Sequence, residues 1–294
     1  MPSFNRRKPR QKLDFTKLRS RFGRKKAFVE PGLDDHEHEQ QVRRRRGIYL
    51  LPNAFTTAAL FCGFYAIVMA MNGLYENSAI AIFAAMILDG IDGRVARLTN
   101  SQSEFGAQYD SLSDMVSFGA APSLVVYEWS LRGLGKLGWI AAFVYCSGAA
   151  LRLARFNTNI GVVDKRFFQG LPSPAAAALV AGFIWTMEEQ HIAGSSLSYI
   201  SCFIAIVAGV TMVTNVPFYS FKDVNFRKVV PFITIFVIVL ILVLISSAPA
   251  EVLFGLFVIY TISGYVGYFW RLAKGKPVSI VQTDPDSLED KNLP

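Results

Sequence analysis

The sequence predicts an all-α integral membrane protein of about eight transmembrane helices, preceded by a basic cytoplasmic N-terminal arm. Three observations lead there. The chain is 52% hydrophobic and only 18% charged, with a mean hydropathy of +0.33, whereas soluble domains carry about 25% charged residues. Its charge is segregated, because residues 1–49 hold fifteen of the 30 Lys and Arg against six of the 22 Asp and Glu. The remaining body is nearly neutral, and apolar runs of about 20 residues, the length needed to span a bilayer, recur along it.

Taken in order, the arm comes first. Its clusters RRKPRQK, RSRFGRKK and RRRR suit contact with anionic lipid, at about 1 kcal/mol per basic residue near the surface. Phe15, Leu18 and Phe22 lie among these charges, so 13–26 reads as a short interfacial amphipathic helix. Nucleic acid is poorly motivated as a partner beside a membrane. The stretch DDHEHEQ (34–40) reads as a disordered acidic spacer rather than a metal cluster. The first apolar run starts only near Gly47, so no cleavable signal peptide is expected.

Residues 50–272 form the predicted transmembrane body, with spans near 50–72, 77–98, 106–129, 137–157, 173–188, 197–215, 229–247 and 251–271. The second and third are interrupted by aspartates, and the fifth is short. Residues 273–294 read as a polar cytoplasmic tail. With the amino terminus inside, every Lys and Arg except Arg132 and Lys136 falls on the inner side. The positive-inside rule then places both termini in the cytoplasm and makes the protein a multi-pass protein of the cell (inner) membrane. Cys62, Cys146 and Cys202 each stand alone in apolar sequence and read as buried helix-packing thiols.

Four acids break this apolar pattern. The stretch LDGIDGRVARLTNSQSEFGAQYDSLSD (88–114) places Asp89, Asp92, Asp110 and Asp114 at the cytoplasmic edge of the second and third spans. A charged side chain at the centre of a membrane helix costs about 2.5–3.5 kcal/mol on insertion scales. Asp89, Asp92 and Ala96 share one helical face, as do Asp110 and Asp114 on the next helix. The short polar link between them makes the helices antiparallel neighbours. Four converging carboxylates cannot all ionise alone, and an all-oxygen ligand set favours Mg²⁺, Mn²⁺ or Ca²⁺. Gly90, Gly93 and Gly106 leave room for a bulky ligand, Ala96 continues the small-residue face, and Arg97 can pair with phosphate. Glycines in membrane helices also serve close packing. Four acids together with the glycines and the arginine favour a metal and nucleotide site.

The run from Asp89 to Asp114 fits D-x2-D-G-x2-A-R-x8-G-x3-D-x3-D at every fixed position. In this it resembles the CDP-alcohol phosphotransferases. The resemblance implies that fold and a site with two divalent ions, Mg²⁺ or Mn²⁺, on Asp89, Asp92, Asp110 and Asp114. Asp114 would lie close enough to act as base. The metals would hold the pyrophosphate of a CDP-linked donor beside Gly93, Ala96, Arg97 and Gly106. Asn53 and Thr56 resemble the family's PN-x-x-T motif and would touch the nucleotide. Helix capping is the plain structural alternative for Asn53.

The stretches RRRRGIYLLPNAFTTAALFCGFYA (43–66) and RLARFNTN with FFQGLPSPAAAA (152–178) resemble the bacterial membrane-integrated phosphatidylserine synthases. That branch implies CDP-diacylglycerol as donor, L-serine as acceptor, phosphatidylserine and CMP as products, and a homodimer. A serine carboxylate requires a cation, and Arg152 and Arg155, at i and i+3, are the acceptor-binding candidates. Their alternative role is as positive-inside residues meeting lipid headgroups. GLPSPAAAALVAG (170–182) reads first as scaffold. Two rivals stand beside this reading. One is the same chemistry on choline, glycerol phosphate or inositol. The other is a cation transporter, which the lack of a second copy of the aspartate motif disfavours.

Overall fold

The computed structural model describes residues 34–158, 167–220 and 232–274, so the predicted interfacial helix at 13–26 and the tail after 274 lie outside the described residues. The chain divides into two compact units, Met1–Arg45 and Arg46–Pro294. The described residues of the first are helical and belong to α1, Asp34–Met71. Residues 34–40 are therefore helix rather than an unstructured spacer. All that follows concerns the second unit.

Helix α1 contains Pro52 in its interior. A proline there removes one backbone donor, and the Thr56 hydroxyl donates to the Pro52 carbonyl at 3.1 Å while that of Thr57 donates to Asn53 O at 2.7 Å. Asn53 lies inside this helix and is not its N-cap. Helix α2, Tyr75–Leu98, ends at a left-handed Asn100 (φ 50°). There Ser101 N–H donates to Ala96 O and Asn100 N–H to Arg97 O, a Schellman closure with asparagine in place of the usual glycine. Two residues later Ser103, extended at φ −139° and ψ 153°, caps α3, Glu104–Asp114, by accepting from Gly106 N–H at 3.0 Å. The stop and the start signals are thus adjacent, and the chain reverses within 99–103.

Beyond α3 the chain stays helical through a π turn at Met115–Ala120, α4 at Ala121–Val126 and a second π turn at Tyr127–Leu131. The apolar run 106–129 predicts one uniform span, and Pro122 gives a physical reason for the departure. Its ring cannot supply the N–H that an α-helix would bring to Phe118 O. The fully buried Tyr145 hydroxyl donates to that carbonyl instead, at 3.0 Å. A 3₁₀ turn and Gly135, at φ 56°, lead into α5, Lys136–Thr158.

Helix α6, Ser173–Glu189, is the centre of the bundle: every residue from 175 to 184 is buried. Its alanines let neighbouring backbones come close, and α6 packs against α2 and against α9, Pro249–Ala273. The second tight pair is α5 with α7, Ser198–Val213. Gly148 and Gly209 face each other there, so a Cβ on Gly209 would sit 2.7 Å from Tyr145 Cα and one on Gly148 would strike the Gly209 carbonyl. Helix α8, Phe232–Ser247, and α9 complete the bundle. One departure from an all-helical chain is a short antiparallel pair, β1 Phe167–Gln169 with β2 Pro217–Tyr219, in register Phe167↔Tyr219.

Among the described residues, four segments are long and apolar enough to cross a membrane: Leu51–Met71, Lys136–Thr158, Gly194–Val213 and Pro249–Ala273. Large apolar side chains such as Phe61 (65% exposed), Phe203 (68%) and Ile259 (70%) point outward from three of them, which in water would be a costly surface and in lipid is the favourable one.

The α5–α7 contact predicts its own test. Gly209→Val forces the two backbones apart, so the thermal midpoint in detergent should fall by several degrees, in line with about 1–3 kcal/mol for overpacking. Gly255→Val, where an added Cβ meets nothing within 4 Å, should leave the midpoint unchanged.

Candidate active site

The reversal between α2 and α3 brings the aspartates together. Asp89, Asp92 and Asp110 each offer a carboxylate oxygen, and these oxygens all lie within 4.8 Å of one another. Asp89 is also within electrostatic reach of both Asp110 and Asp114. Asp110 Oδ1 and Asp114 Oδ1 are buried and, among the described residues, receive no hydrogen bond. Oxygens so placed require a positive partner, since an unsatisfied buried acceptor costs about 1–3 kcal/mol and a charged one more. Oxygen-only donors at this spacing fit a divalent cation of the Mg²⁺, Mn²⁺ or Ca²⁺ kind.

Hydrogen bonds between helices hold this arrangement. Thr56, buried on α1, donates to Asp92 Oδ2 at 2.7 Å and thereby couples α1 to α2. Helix α3 is stitched to α1 by hydroxyls that bracket Asp114: Ser113 donates to Thr56 O at 3.2 Å, and Ser117 in the following turn donates to Ala59 O at 3.1 Å. Gly63 admits that contact, because a Cβ there would fall 2.5 Å from Ser117 Oγ. On the other flank Ser111 and Asn157 bond reciprocally at 3.0 and 3.3 Å, tying α3 to α5.

The residues expected to meet a nucleotide lie on α1, α2 and α3. Nothing lies within 4 Å of a Cβ added at Gly90 or Gly93, so the backbone of α2 is open there. Arg97 Nε donates to Gly93 O at 2.9 Å, folding the exposed guanidinium along α2. Gly106 has Ser103 Oγ 3.1 Å and Asn53 Oδ1 3.5 Å from where its Cβ would be, which puts Asn53 beside the small residues of the motif. Ala96 is half-buried on the same helix. Tyr109, absent from the sequence reading, shares a 2.9 Å hydrogen bond with Thr57 and stacks on Phe105. Its signal was present in the motif's variable positions, where sequence alone gives it no partner.

The two arginines differ. Arg155 spreads its guanidinium over the carbonyls of Gln169, Met212, Val213 and Thr214 and over Asn215 Oδ1, at 2.8–3.2 Å. It thereby satisfies the orphan carbonyls at the end of α7. Arg152 is buried, with 8% of its surface exposed, and lies over the Phe156 ring at 6.0 Å. Its Nη1 donates to Ser173 Oγ at 2.6 Å, and among the described residues no carboxylate lies within the 4.0 Å of an ion pair. Asp114 and Asp89 are among its electrostatic neighbours. Ser173 belongs to the segment read as scaffold, and its orienting role was not legible there.

Comparison with known proteins agrees with this geometry. Residues 49–214 match the family model described as CDP-alcohol phosphatidyltransferase. The CDP-diacylglycerol–serine O-phosphatidyltransferase of Helicobacter pylori (strain 26695) is 35% identical over 228 residues, covering 77% of this chain and 94% of that protein. The protein of the same name from Methanocaldococcus jannaschii is 33% identical over 202 residues, covering 69% of this chain and 89% of its own. The one from Mycobacterium bovis is 40% identical over 149 residues, 48% of this chain and 52% of that protein. The acidic cluster, the span of the matched region and these likenesses lead to one statement: the chain belongs to the CDP-alcohol phosphatidyltransferase family.

Proposed function

We propose that this protein is a CDP-diacylglycerol–serine O-phosphatidyltransferase, a membrane enzyme that moves the phosphatidyl group from CDP-diacylglycerol to the hydroxyl of L-serine. The observation that carries the reading is the acidic cluster together with Arg152, which is buried and, among the described residues, has no carboxylate within ion-pair distance. Asp89, Asp92 and Asp110, with Asp114 beside them, would hold divalent metal, Mg²⁺ or Mn²⁺ and two ions. When bound, such ions supply positive charge to the donor's pyrophosphate and to departing CMP.

The chain's own groups do the rest. The open backbone at Gly93, with Ala96 and Gly106, admits the cytidine and its phosphates, while Asn53 holds the nucleotide and Thr56 keeps Asp92 in position. Arg97 neutralises phosphate charge. Arg152 receives the serine carboxylate, a role suited to a planar cation that binds carboxylate bidentately. Arg155 braces the end of α7 and β1, and through them the wall that holds Arg152. Asp114 accepts the proton from the serine hydroxyl as that oxygen bonds to the phosphorus bearing diacylglycerol. The bond from that phosphorus to the bridging oxygen breaks, and CMP leaves with the electron pair.

The surrounding organisation follows from the same reading. Residues 50–272 make the catalytic body with eight spans in the cell (inner) membrane, and both termini and the site face the cytoplasm. The arm 1–49 binds anionic lipid, 273–294 is a cytoplasmic tail, and the protein is a homodimer. The charge segregation supports the orientation and the arm, and the likeness to the family supports the dimer.

The deciding experiment is CMP release by the purified full-length protein in detergent, with CDP-diacylglycerol and Mn²⁺ or Mg²⁺, with and without L-serine. Release that needs both serine and metal is expected. Release driven by choline, glycerol phosphate or inositol but not by serine would overturn the acceptor, and no release with any alcohol would overturn the reaction. Asp89→Asn and Asp110→Asn should each abolish turnover and weaken Mn²⁺ binding measured by electron paramagnetic resonance; full activity in either would remove that residue from the metal site. Thr56→Val should raise the Mn²⁺ concentration for half-maximal activity by about 10-fold, as outer-shell changes do. An unchanged requirement would mean Asp92 does not depend on Thr56.

A further inference from the structure

Helix α3 meets α1 along one face. Gly106, Tyr109 and Ser113 stand at i, i+3 and i+7 on α3 and share that face. Each has a counterpart within one turn of α1. Asn53 Oδ1 lies 3.5 Å from where a Gly106 Cβ would be, the Tyr109 and Thr57 hydroxyls are 2.9 Å apart, and Ser113 donates to Thr56 O at 3.2 Å. The direction of the middle bond follows from its neighbour. Thr57 has one hydroxyl hydrogen and gives it to Asn53 O at 2.7 Å, so the Tyr109 phenol donates to Thr57. A relay therefore runs from Tyr109 through Thr57 to the backbone of Asn53. The Phe105 ring, stacked on Tyr109 at 5.9 Å and 15°, holds the phenol in place.

We infer that Tyr109 is a positioning residue: through Thr57 it holds the turn of α1 that carries Asn53 against α3, where Asn53 meets the nucleotide. The inference rests on the proposed CDP-linked donor. That turn needs a brace, because Pro52 supplies no N–H to the turn before it. The hydroxyls of Thr56 and Thr57 add bonds to the Pro52 and Asn53 carbonyls, and only the second of these hydroxyls is tied to Tyr109. Both members of the relay fall at positions that the aspartate and PN-x-x-T motifs leave open, so it is a device of this chain's own sequence. It reaches Asn53 without touching a carboxylate, and it bears on the donor rather than on the attacking alcohol.

The test is CMP release by Tyr109→Phe in the full-length protein, with the alcohol that supports release by the wild type. The KM for CDP-diacylglycerol should rise about fivefold, the size of a neutral hydrogen bond, while kcat and the KM for the alcohol stay as in the wild type. CMP, which carries the nucleotide without the lipid, should inhibit about fivefold less well. Added to Asn53→Ala, which itself should raise the donor KM, Tyr109→Phe should have no further effect. The same fivefold rise on the Asn53→Ala background would show that Tyr109 does not act through Asn53, and unchanged CMP inhibition would show that it does not act on the nucleotide. Either overturns the inference, as does an equal rise in both KM values, which a general loosening of the bundle would give. Asn53→Ala with a normal donor KM would overturn the role of Asn53 and this inference, while the reaction stands. Failure of the wild type to release CMP with any alcohol would overturn both readings, and it is seen before any variant is made. Thr57→Ser keeps the relay and should match the wild type, whereas Thr57→Val should behave as Tyr109→Phe does. This pair carries the comparison should the phenylalanine variant not fold, and equal donor KM values in the two would overturn the inference.

Discussion

The mutual repulsion of four carboxylates governs this structure. Left to themselves, Asp89, Asp92, Asp110 and Asp114 would push α2 and α3 apart, yet oxygens from three of them sit within 4.8 Å of one another. Two kinds of constraint hold them. Covalent proximity is one: the Schellman closure at Asn100 and the cap at Ser103 leave the chain no length in which to splay. The other is a set of hydroxyl bonds from Thr56, Ser113 and Ser117 that fix α1 against both helices. In a membrane, where interhelical packing has no hydrophobic driving force, such bonds and small-residue contacts carry the association. A cluster built this way could hold a cation without first being rearranged.

A second constraint positions the cationic side of the site. Arg152 is buried in the middle of an apolar bundle, and isolated charges are expensive there. The bundle accommodates it by several routes: the Ser173 hydroxyl, the Phe156 ring face, and the electrostatic reach of Asp114 and Asp89. Each depends on close helix approach. Ser173 lies at the start of α6, whose alanines let it occupy the bundle centre, and Arg152 rides on α5, which Gly148 and Gly209 bring against α7. Glycines and alanines far from the acids therefore help to determine where the guanidinium stands. Arg155, one turn on, makes the opposite use of the same chemistry and spends its donors on backbone carbonyls.

The acidic motif was the most legible part of the sequence, because helical periodicity alone puts Asp89 with Asp92 and Asp110 with Asp114, and a short polar link makes the helices neighbours. The helical segments were legible from hydropathy for the same reason that lipid selects them. What stayed hidden was relational. Spacing pairs Arg152 with Arg155, but it cannot say that one guanidinium meets five backbone and amide acceptors while the other meets a single serine. Asn53 reads as a cap or a ligand until α1 is seen to continue through Pro52. The π turns after Asp114 and the short β1–β2 pair leave no periodic signal, since both answer local needs of the tertiary structure, at Pro122 and at the end of α7.

The division between 49–214 and the rest also has a physical logic. A pyrophosphate donor presents the same charges whatever alcohol attacks it, so the acids, the open glycines and their orienting hydroxyls can be common to the family. An acceptor differs in size and in the sign of its substituents, and its reader must be changeable without moving the acids. Helix α9 packs on α6 from outside the matched region and contributes no carboxylate to the cluster. The α2–α3 reversal, closed by its own caps, holds the acids in place independently of that helix.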